Sequence, residues 1–139
     1  MLVVLDTNVL VSGIRSRRGA SFQVLSLVGT GAFDVAISVP LVLEYEAAML
    51  RHIDSTNLAE DDARHIVDYI CSVARRQTIF FLWRPLLKDP NDDMVAEVAV
   101  ASACDALVTH NRKDFDAIAA LGLRVISPQE LLQELGRSR

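Results

Sequence analysis

The sequence predicts an α/β fold, a three-layer α/β/α sandwich with a parallel central sheet of roughly five strands. Short apolar runs recur along the chain without polar interruption, which is typical of strands buried on both faces. Helical patterns separate these runs, and strands separated by helices pair in parallel through right-handed crossovers. The length of 139 residues is that of one domain, so we expect a single domain over residues 1–139.

Local patterns define each predicted element. Glycines close the first helix, a proline opens the second, and Asn57-Leu-Ala-Glu60 has the pattern of a capping box with Asn57 as the N-cap. The predicted strands are Leu2–Leu5, Phe33–Ser38, Gln77–Leu82, Ala106–Thr109 and Arg124–Ile126. The predicted helices are Ser21–Val28, Leu41–Arg51, one after Glu60, a buried helix continuing over Met94–Cys104, Arg112–Leu121 and a last helix capped by Ser127. A loop is predicted from Ser12 to Gly19, and an acidic turn over Asp89–Asp93 starts the buried helix.

Composition and charge narrow the class of protein. Hydrophobic residues make up 51% of the chain and charged residues 23%, which is a globular composition and excludes disorder. The net charge of −4 excludes a protein that binds nucleic acid over its whole surface, so any binding of nucleic acid must take place at a local site. Only 6% of the residues are aromatic, which argues against a stacking platform for single-stranded bases.

Three further features predict a cytoplasmic location. Met1–Asp6 has no basic region, so we expect no signal peptide. The apolar runs are far shorter than the roughly 20 residues that span a bilayer. Cys71 and Cys104 form no paired motif, which excludes a disulfide framework and fits a reducing compartment.

Acidic residues gather at the ends of predicted strands and the starts of predicted helices. Asp6 follows the first strand, Glu44 lies one turn into the second helix, and Asp89, Asp92 and Asp93 crowd one helix start. Each has an ordinary structural explanation, because acids form turns and stabilise helix N-termini. Together they lie where an open α/β sheet binds its ligands, outside the carboxyl ends of the strands.

Helical periodicity favours Asp92 over Asp93 as the acid that points inward. Asp92 shares a helix face with Ala96 and Ala99, and these small residues allow the helix to approach the sheet closely. Asp93 shares a face with Glu97, and we expect that face to be more exposed.

Polar residues also follow the fourth predicted strand. Thr109 and Asn111 come at its end, and Asp114 is the nearest acid after them. Carboxylates gathered at one edge of a sheet repel one another and must bind cations or become protonated. Hard oxygen ligands, without paired Cys or His, suit Mg²⁺ or Mn²⁺ rather than Zn²⁺.

Four motifs occur in a fixed order along the chain. They are Asp6-Thr7-Asn8 after the first strand, Ser38 followed by Glu44 at the second strand–helix junction, Asp89-Pro-Asn-Asp92 followed by Ala96 and Ala99, and Ala106-Leu-Val-Thr109-His-Asn111-Arg-Lys-Asp114-Phe115. This ordered set resembles PIN-domain nucleases, and among them the PIN-family toxins of bacterial type II toxin–antitoxin pairs. The resemblance extends from Leu2 to Pro128.

The resemblance implies cleavage of single-stranded RNA that depends on one or two Mg²⁺ or Mn²⁺ ions. Carried over position by position, it makes Asp6, Glu44, Asp92 and Asp114 the catalytic acids and metal ligands. This chain has Asn111 where many members have an acid, and Asp114 stands three residues further on, as in other members. The implied partners are an RNA substrate and a cognate antitoxin, and the apolar helices flanking the site lead us to expect a homodimer.

Two other functions remain open on the sequence alone. One is a catalytically inert binding module with the same fold, and the other is an α/β phosphotransfer domain such as a receiver or a phosphatase. The phosphatase pattern Asp-x-Asp is replaced here by Asp6-Thr7-Asn8, which disfavours the second alternative. If the protein binds RNA, we expect phosphate contacts from the basic residues of the predicted loop beside Asp6, which are Arg15, Arg17 and Arg18.

Overall fold

The structure, a computed structural model, describes residues 1–79, 87 and 89–137. Its strands are β1 (Leu2–Leu5), β2 (Asp34–Ile37), β3 (Arg75–Arg76), β4 (Ala106–Val108) and β5 (Val125–Ile126). Its α-helices are α1 (Thr7–Arg15), α2 (Ala20–Leu27), α3 (Val39–Arg51), α4 (Glu60–Val73), α5 (Pro90–Ala101), α6 (Asp116–Ala119) and α7 (Pro128–Arg137). Short 3₁₀ helices cover Ile53–Ser55 and Arg112–Phe115. None of the helices in these described ranges is both long and apolar enough to cross a membrane.

The strands pair in parallel in the order β3-β2-β1-β4-β5. The chain first extends the sheet from β1 to β3 in one direction, and then crosses back to add β4 and β5 on the other side of β1. Right-handed crossovers place helices on both faces of a sheet that is wound in this way. The predicted three-layer α/β/α sandwich with a parallel sheet is confirmed.

The apolar runs of the sequence form the centre of the molecule. Val3 and Val4 in β1 and all three residues of β4 have no exposed surface. Helix α5 packs against β1 and β2, and it is buried almost all round, as its Ala/Val composition predicts. Its end at Ala101 is earlier than the predicted Cys104, because Ala103 adopts a left-handed conformation with φ of 50°.

The predicted loop from Ser12 to Gly19 is wrong in its first part, because residues 7–15 form α1. Val9 on this helix is fully buried, so packing overrides the weak helix propensity of a segment rich in β-branched residues. A Cβ atom at Gly13 would lie 2.3 Å from Leu25 Cδ1, so this glycine allows α1 to pack closely against α2.

Two further predicted boundaries are wrong. Helix α4 begins after Ala59 rather than Asn57, because Asp62 Oδ2 accepts the hydrogen bond from the Ala59 N–H at 2.8 Å. Strand β3 covers Arg75–Arg76, where it pairs with β2, so it begins before the predicted start at Gln77. The last three residues of that predicted strand lie outside the described residues.

Two predicted helix starts near the C-terminus have different outcomes. The helix expected over Arg112–Leu121 opens with a 3₁₀ helix, in which the Asp114 N–H donates to the Asn111 carbonyl at 3.1 Å, and only then becomes α6. The cap at Ser127 is confirmed. The Glu130 N–H donates to Ser127 Oγ, and the Ser127 N–H donates to Glu130 Oε1, both at 3.1 Å.

Candidate functional site

Asp6 lies at the carboxyl end of β1, where the direction of sheet growth reverses between β1 and β4. Its N–H donates to the Val108 carbonyl of β4 at 2.9 Å, and its Oδ2 accepts a hydrogen bond from Thr109 Oγ1 at 2.6 Å. Only 5% of Asp6 is exposed. Open α/β sheets bind ligands at such a switch point, so the topology places Asp6 where a ligand is expected.

The surroundings of Asp6 disfavour its charged form. Burial is the main reason that the pKa of its carboxyl is raised from 3.8 to about 6. Hydrogen bonds from Thr109 and from the backbone of Thr7 lower this pKa, whereas the negative charges of Asp114 and Asp89 raise it. A nearby cation would stabilise the carboxylate against both burial and repulsion.

Asp92, in the first turn of α5, interacts with the same charges. Its pKa is raised from 3.8 to about 7, first by burial and then by the charges of Asp6, Asp89, Asp114 and Asp93. Three of the four predicted acids, Asp6, Asp92 and Asp114, thus interact through their charges. They come from the end of β1, the start of α5 and the 3₁₀ helix after β4. Asp89, which was not among the predicted catalytic acids, also belongs to this group. The signal for it was its place in the same acidic turn.

The prediction that Asp92 rather than Asp93 is the inward acid is wrong: Asp92 is half-buried, whereas Asp93 is buried. Only 3% of it is exposed, and its Oδ1 accepts a hydrogen bond from the Leu87 N–H at 2.8 Å. Glu97, on the same face, is also buried. Small residues on one face of a helix do not show that the other face is open, because α5 is covered on several sides. Asp93 binds the preceding backbone, whereas Asp92 is the acid whose charge is coupled to Asp6.

Glu44 is engaged elsewhere. Its Oε1 lies 3.0 Å from Arg51 Nη2 on the same helix, and the arginine side chain is 56% exposed. Glu44 lines an open cleft at the start of α3 together with Ser38 and Glu97. Glu97 was not among the site residues predicted from the sequence. The signal that could have found it is a single acid in the middle of an apolar helix.

Thr109 is the centre of a hydrogen-bond network at the end of β4. It has no exposed surface, donates to Asp6, and accepts hydrogen bonds from the Asn111 N–H at 3.0 Å and from Asn8 Nδ2 at 3.5 Å. Asn8 Oδ1 in turn accepts from the His110 N–H at 3.4 Å. The polar residues that follow β1 and β4 therefore hold one another and orient Asp6.

The donor set suits a hard divalent cation. Within the described ranges, no three Asp, Glu, His or Cys side chains form a ready-made metal cage. Mg²⁺ keeps several waters in most proteins and takes only one or two carboxylates, so such a cage is not required. Asp6 and Asp92 supply two carboxylates whose burial and repulsion a cation would offset.

The arginines expected beside Asp6 lie towards the far end of α1. This helix begins at Thr7 and carries Arg15 in its last turn, about 12 Å further along the helix axis. Arg15 and Arg17 line a groove together with residues 54–58, which belong to the segment that connects α3 to α4. The structure therefore does not support a loop of arginines next to Asp6.

Two basic residues lie closer in the chain to the coupled acids. Arg112 and Lys113 begin the 3₁₀ helix that carries Asp114. Arg112 forms an ion pair with Glu130 at 3.0 Å, and Lys113 is exposed. Lys113 directly precedes Asp114 in the chain.

Residues 2–113 match the family model of the PIN domain. The chain belongs to the PIN-domain family. Proteins of this family are nucleases, and they generally use divalent metal ions. The membership confirms the family predicted from the four motifs and overturns the alternative of a phosphotransfer domain.

A solved structure shares the fold of this PIN domain. It is a chain from the crystal structure of VapBC2 from Rickettsia felis, which is bound there to a DNA fragment from the VapBC2 promoter. The two chains are 20% identical with a TM-score of 0.62, and the similarity covers 91% of this chain and 98% of that chain. At this identity the likeness shows the fold alone. A comparison with curated protein sequences gives no match.

Proposed function

We propose that this PIN domain is an endoribonuclease that requires Mg²⁺ or Mn²⁺, cleaves single-stranded RNA and acts as the toxin of a toxin–antitoxin pair. The observation that carries the proposal is the electrostatic coupling of Asp6, Asp92 and Asp114 at the switch point of the sheet. A buried carboxylate with a raised pKa at such a point, as Asp6 is, is typical of a functional site.

In this proposal Asp6 and Asp92 bind the metal ion, and Asp114 and Glu44 complete the site. A bound divalent cation lowers the pKa of water and polarises the phosphodiester. Glu44 first has to leave Arg51, and this costs little, because an ion pair with an exposed arginine contributes about 0–1 kcal/mol.

The groups around the acids set orientation and protonation. The hydrogen bond from Thr109 restricts rotation of the Asp6 carboxylate, as outer partners of metal ligands commonly do. With a pKa of about 7, Asp92 is partly protonated at neutral pH, so metal binding releases this proton. Metal affinity therefore rises with pH through this range.

The direct test is cleavage of a mixed pool of RNAs by the purified protein. We expect cleavage in Mn²⁺ or Mg²⁺, loss of cleavage in EDTA, and recovery when Mn²⁺ is added in excess. Expression in bacterial cells should arrest growth. Cleavage that persists in EDTA would contradict the proposed chemistry.

The proposed partner is an antitoxin protein. The structural neighbour comes from the VapBC2 complex, and that complex is bound to a fragment of promoter DNA. The free thiols of Cys71 and Cys104 fit the cytoplasm as the compartment of this protein. A short adjacent gene for a DNA-binding protein that co-purifies with this one would support the pairing.

We also propose a homodimer in solution. Val39 and Leu43, one turn apart on α3, are 72% and 63% exposed, and a second copy of the chain would cover them. Light scattering coupled to size-exclusion chromatography tests this, and a monomeric mass would contradict it.

A catalytically inert binding module is the second candidate. The observation that favours it is the engagement of Glu44 by Arg51, together with the lack of a ready-made metal cage in the described ranges. Calorimetry with Mn²⁺ separates the two functions, because the inert module would not bind the ion.

Asp92→Asn is expected to lower kcat by about a hundredfold or more, since even outer partners of a metal cost 10–100-fold. Asp93→Asn is the matched control on the same turn of α5. It should lower activity much less and reduce the free energy of unfolding by about 1 kcal/mol, because it weakens the hydrogen bond from the Leu87 N–H. Steady-state kinetics and thermal melts measure both. A larger activity loss in Asp93→Asn would show that the wrong acid is assigned to the site.

Lys113→Gln is expected to weaken RNA binding most at low salt, because one phosphate contact is lost. Between about 50 and about 200 mM salt, the affinity of the wild type for RNA should therefore fall by a factor that is roughly threefold larger than the factor for Lys113→Gln. Arg15→Gln removes the same charge towards the far end of α1 and should have a smaller effect. Fluorescence anisotropy with labelled RNA measures both, and equal effects would rule out a special position for Lys113.

A further inference from the structure

Tyr45 is a buried residue that the proposed chemistry leaves without a role. It lies on α3 directly after Glu44 and has no exposed surface. Its hydroxyl donates a hydrogen bond to the carbonyl oxygen of Leu5 at 2.5 Å. Leu5 is the last residue of β1, and Asp6 follows it. One side chain thus joins the helix that carries Glu44 to the strand end that carries Asp6.

The Leu5 carbonyl lies at the end of β1, where the strand still pairs with β4 on one side but no longer has a register pair with β2 on the other. Strand β1 pairs with β4 as far as Leu5, but its register pairs with β2 are at Leu2 and Val3. The Asp6 N–H, in the same peptide group, donates towards β4. Because N–H and C=O of a trans peptide point in opposite directions, the carbonyl points to the β2 side. The Tyr45 hydroxyl supplies the donor that a neighbouring strand would otherwise supply.

The peptide group before the Asp6 side chain is therefore held at both ends. Val108 accepts from its N–H, Tyr45 donates to its C=O, and Thr109 holds the carboxylate beyond it. Burial and the charge of Asp6 raise the pKa of the Tyr45 phenol, so the hydroxyl remains a donor at any working pH.

We propose that the hydrogen bond from Tyr45 to the Leu5 carbonyl positions Asp6 relative to Glu44 and thereby sets the affinity of the site for its divalent cation. This inference rests on the proposed function. Tyr45 is a positioning residue, since it acts through the backbone that carries Asp6. Its ring fills the core, and its hydroxyl performs the positioning.

The chain provides a matched control for the test. It contains two tyrosines, and the hydroxyl of the second, Tyr69 on α4, also donates to a backbone carbonyl, that of Val28 at 3.1 Å. Tyr45→Phe and Tyr69→Phe each remove one such bond. We expect the dissociation constant for Mn²⁺, measured by calorimetry, to rise about tenfold in Tyr45→Phe and to stay unchanged in Tyr69→Phe. Both variants should melt at lower temperature.

The Mn²⁺ titrations separate the possible outcomes. Wild-type affinity in Tyr45→Phe, together with a lowered melting temperature, would show a purely structural role and overturn the inference alone. A wild-type protein that does not bind Mn²⁺ would overturn the proposed function and this inference with it. If Tyr45→Phe does not fold, 4-aminophenylalanine and 4-fluorophenylalanine at position 45 replace it. The amino group keeps a donor and should keep the affinity, whereas fluorine fills the space without a donor and should lose it.

Discussion

Asp6→Asn is expected to abolish metal-dependent RNA cleavage, with kcat/KM reduced by at least about a hundredfold, while the fold is retained. The substitution keeps the shape of the side chain and an oxygen that can accept from Thr109. It removes the negative charge at the switch point of the sheet, and in the proposed site that charge binds the cation. Substitution of a residue that only hydrogen-bonds to a metal ligand already lowers metal affinity or activity by about 10–100-fold, so substitution of a ligand itself should lower it more.

Asp116→Asn is the control for Asp6→Asn, because Asp116 is an exposed acid at the start of α6 and its removal changes the net charge equally. Cleavage of an RNA pool and arrest of cell growth on expression should both survive this control and be lost in Asp6→Asn. Cleavage that survives in purified Asp6→Asn would indicate a contaminating nuclease or a site elsewhere. Growth arrest that survives would contradict the toxin assignment.

The metal-free protein is expected to lose stability between about pH 4 and about pH 7, and Mn²⁺ is expected to restore it. Asp6 and Asp92 have pKa values of about 6 and about 7 in the folded protein, and 3.8 is their ordinary value. Between these values the folded state holds more protons than the unfolded state, so the free energy of unfolding falls as the pH rises. The loss is complete above about pH 7, and for the buried Asp6 alone it amounts to about 2–3 kcal/mol.

Thermal melts in EDTA and in Mn²⁺ across this pH range measure the effect. The difference between wild type and Asp6→Asn isolates the contribution of Asp6, because other carboxyl groups titrate equally in both. In EDTA at about pH 8 the variant should be the more stable protein. In Mn²⁺ the order should reverse, since an ion that binds only the folded wild type stabilises it. A variant that is less stable than wild type in EDTA at every pH would contradict the raised pKa of Asp6.

Local sequence patterns predicted the parts of the fold that depend on neighbours in the chain. The apolar runs at Leu2–Leu5 and Ala106–Val108 are strands because each buries a continuous apolar segment. The cap at Ser127 is confirmed because both of its hydrogen bonds join residues three apart. Helix α1 was missed because its own propensity is weak and its burial against the rest of the protein decides its conformation.

The acids of the candidate site could be selected from the sequence, but their burial and their interactions could not be predicted. Asp6, Asp92 and Asp114 could be selected because strand ends and helix starts are visible in the sequence. Burial of Asp93 could not be predicted, because periodicity gives the face on which a residue lies and not what covers that face. The distance of Arg15 from Asp6 likewise depends on a helix that only packing forms.

The sequence by itself determined the alternation of strands and helices, the acids that stand at their ends and the membership of the PIN-domain family. The tertiary structure alone decided which of these groups interact. Thr109 reaches Asp6 across 103 residues because β1 and β4 pair, and Tyr45 reaches Leu5 across 40 residues because α3 packs beside the end of β1. Such contacts depend on how strands pair and helices pack, and local hydropathy does not record those arrangements.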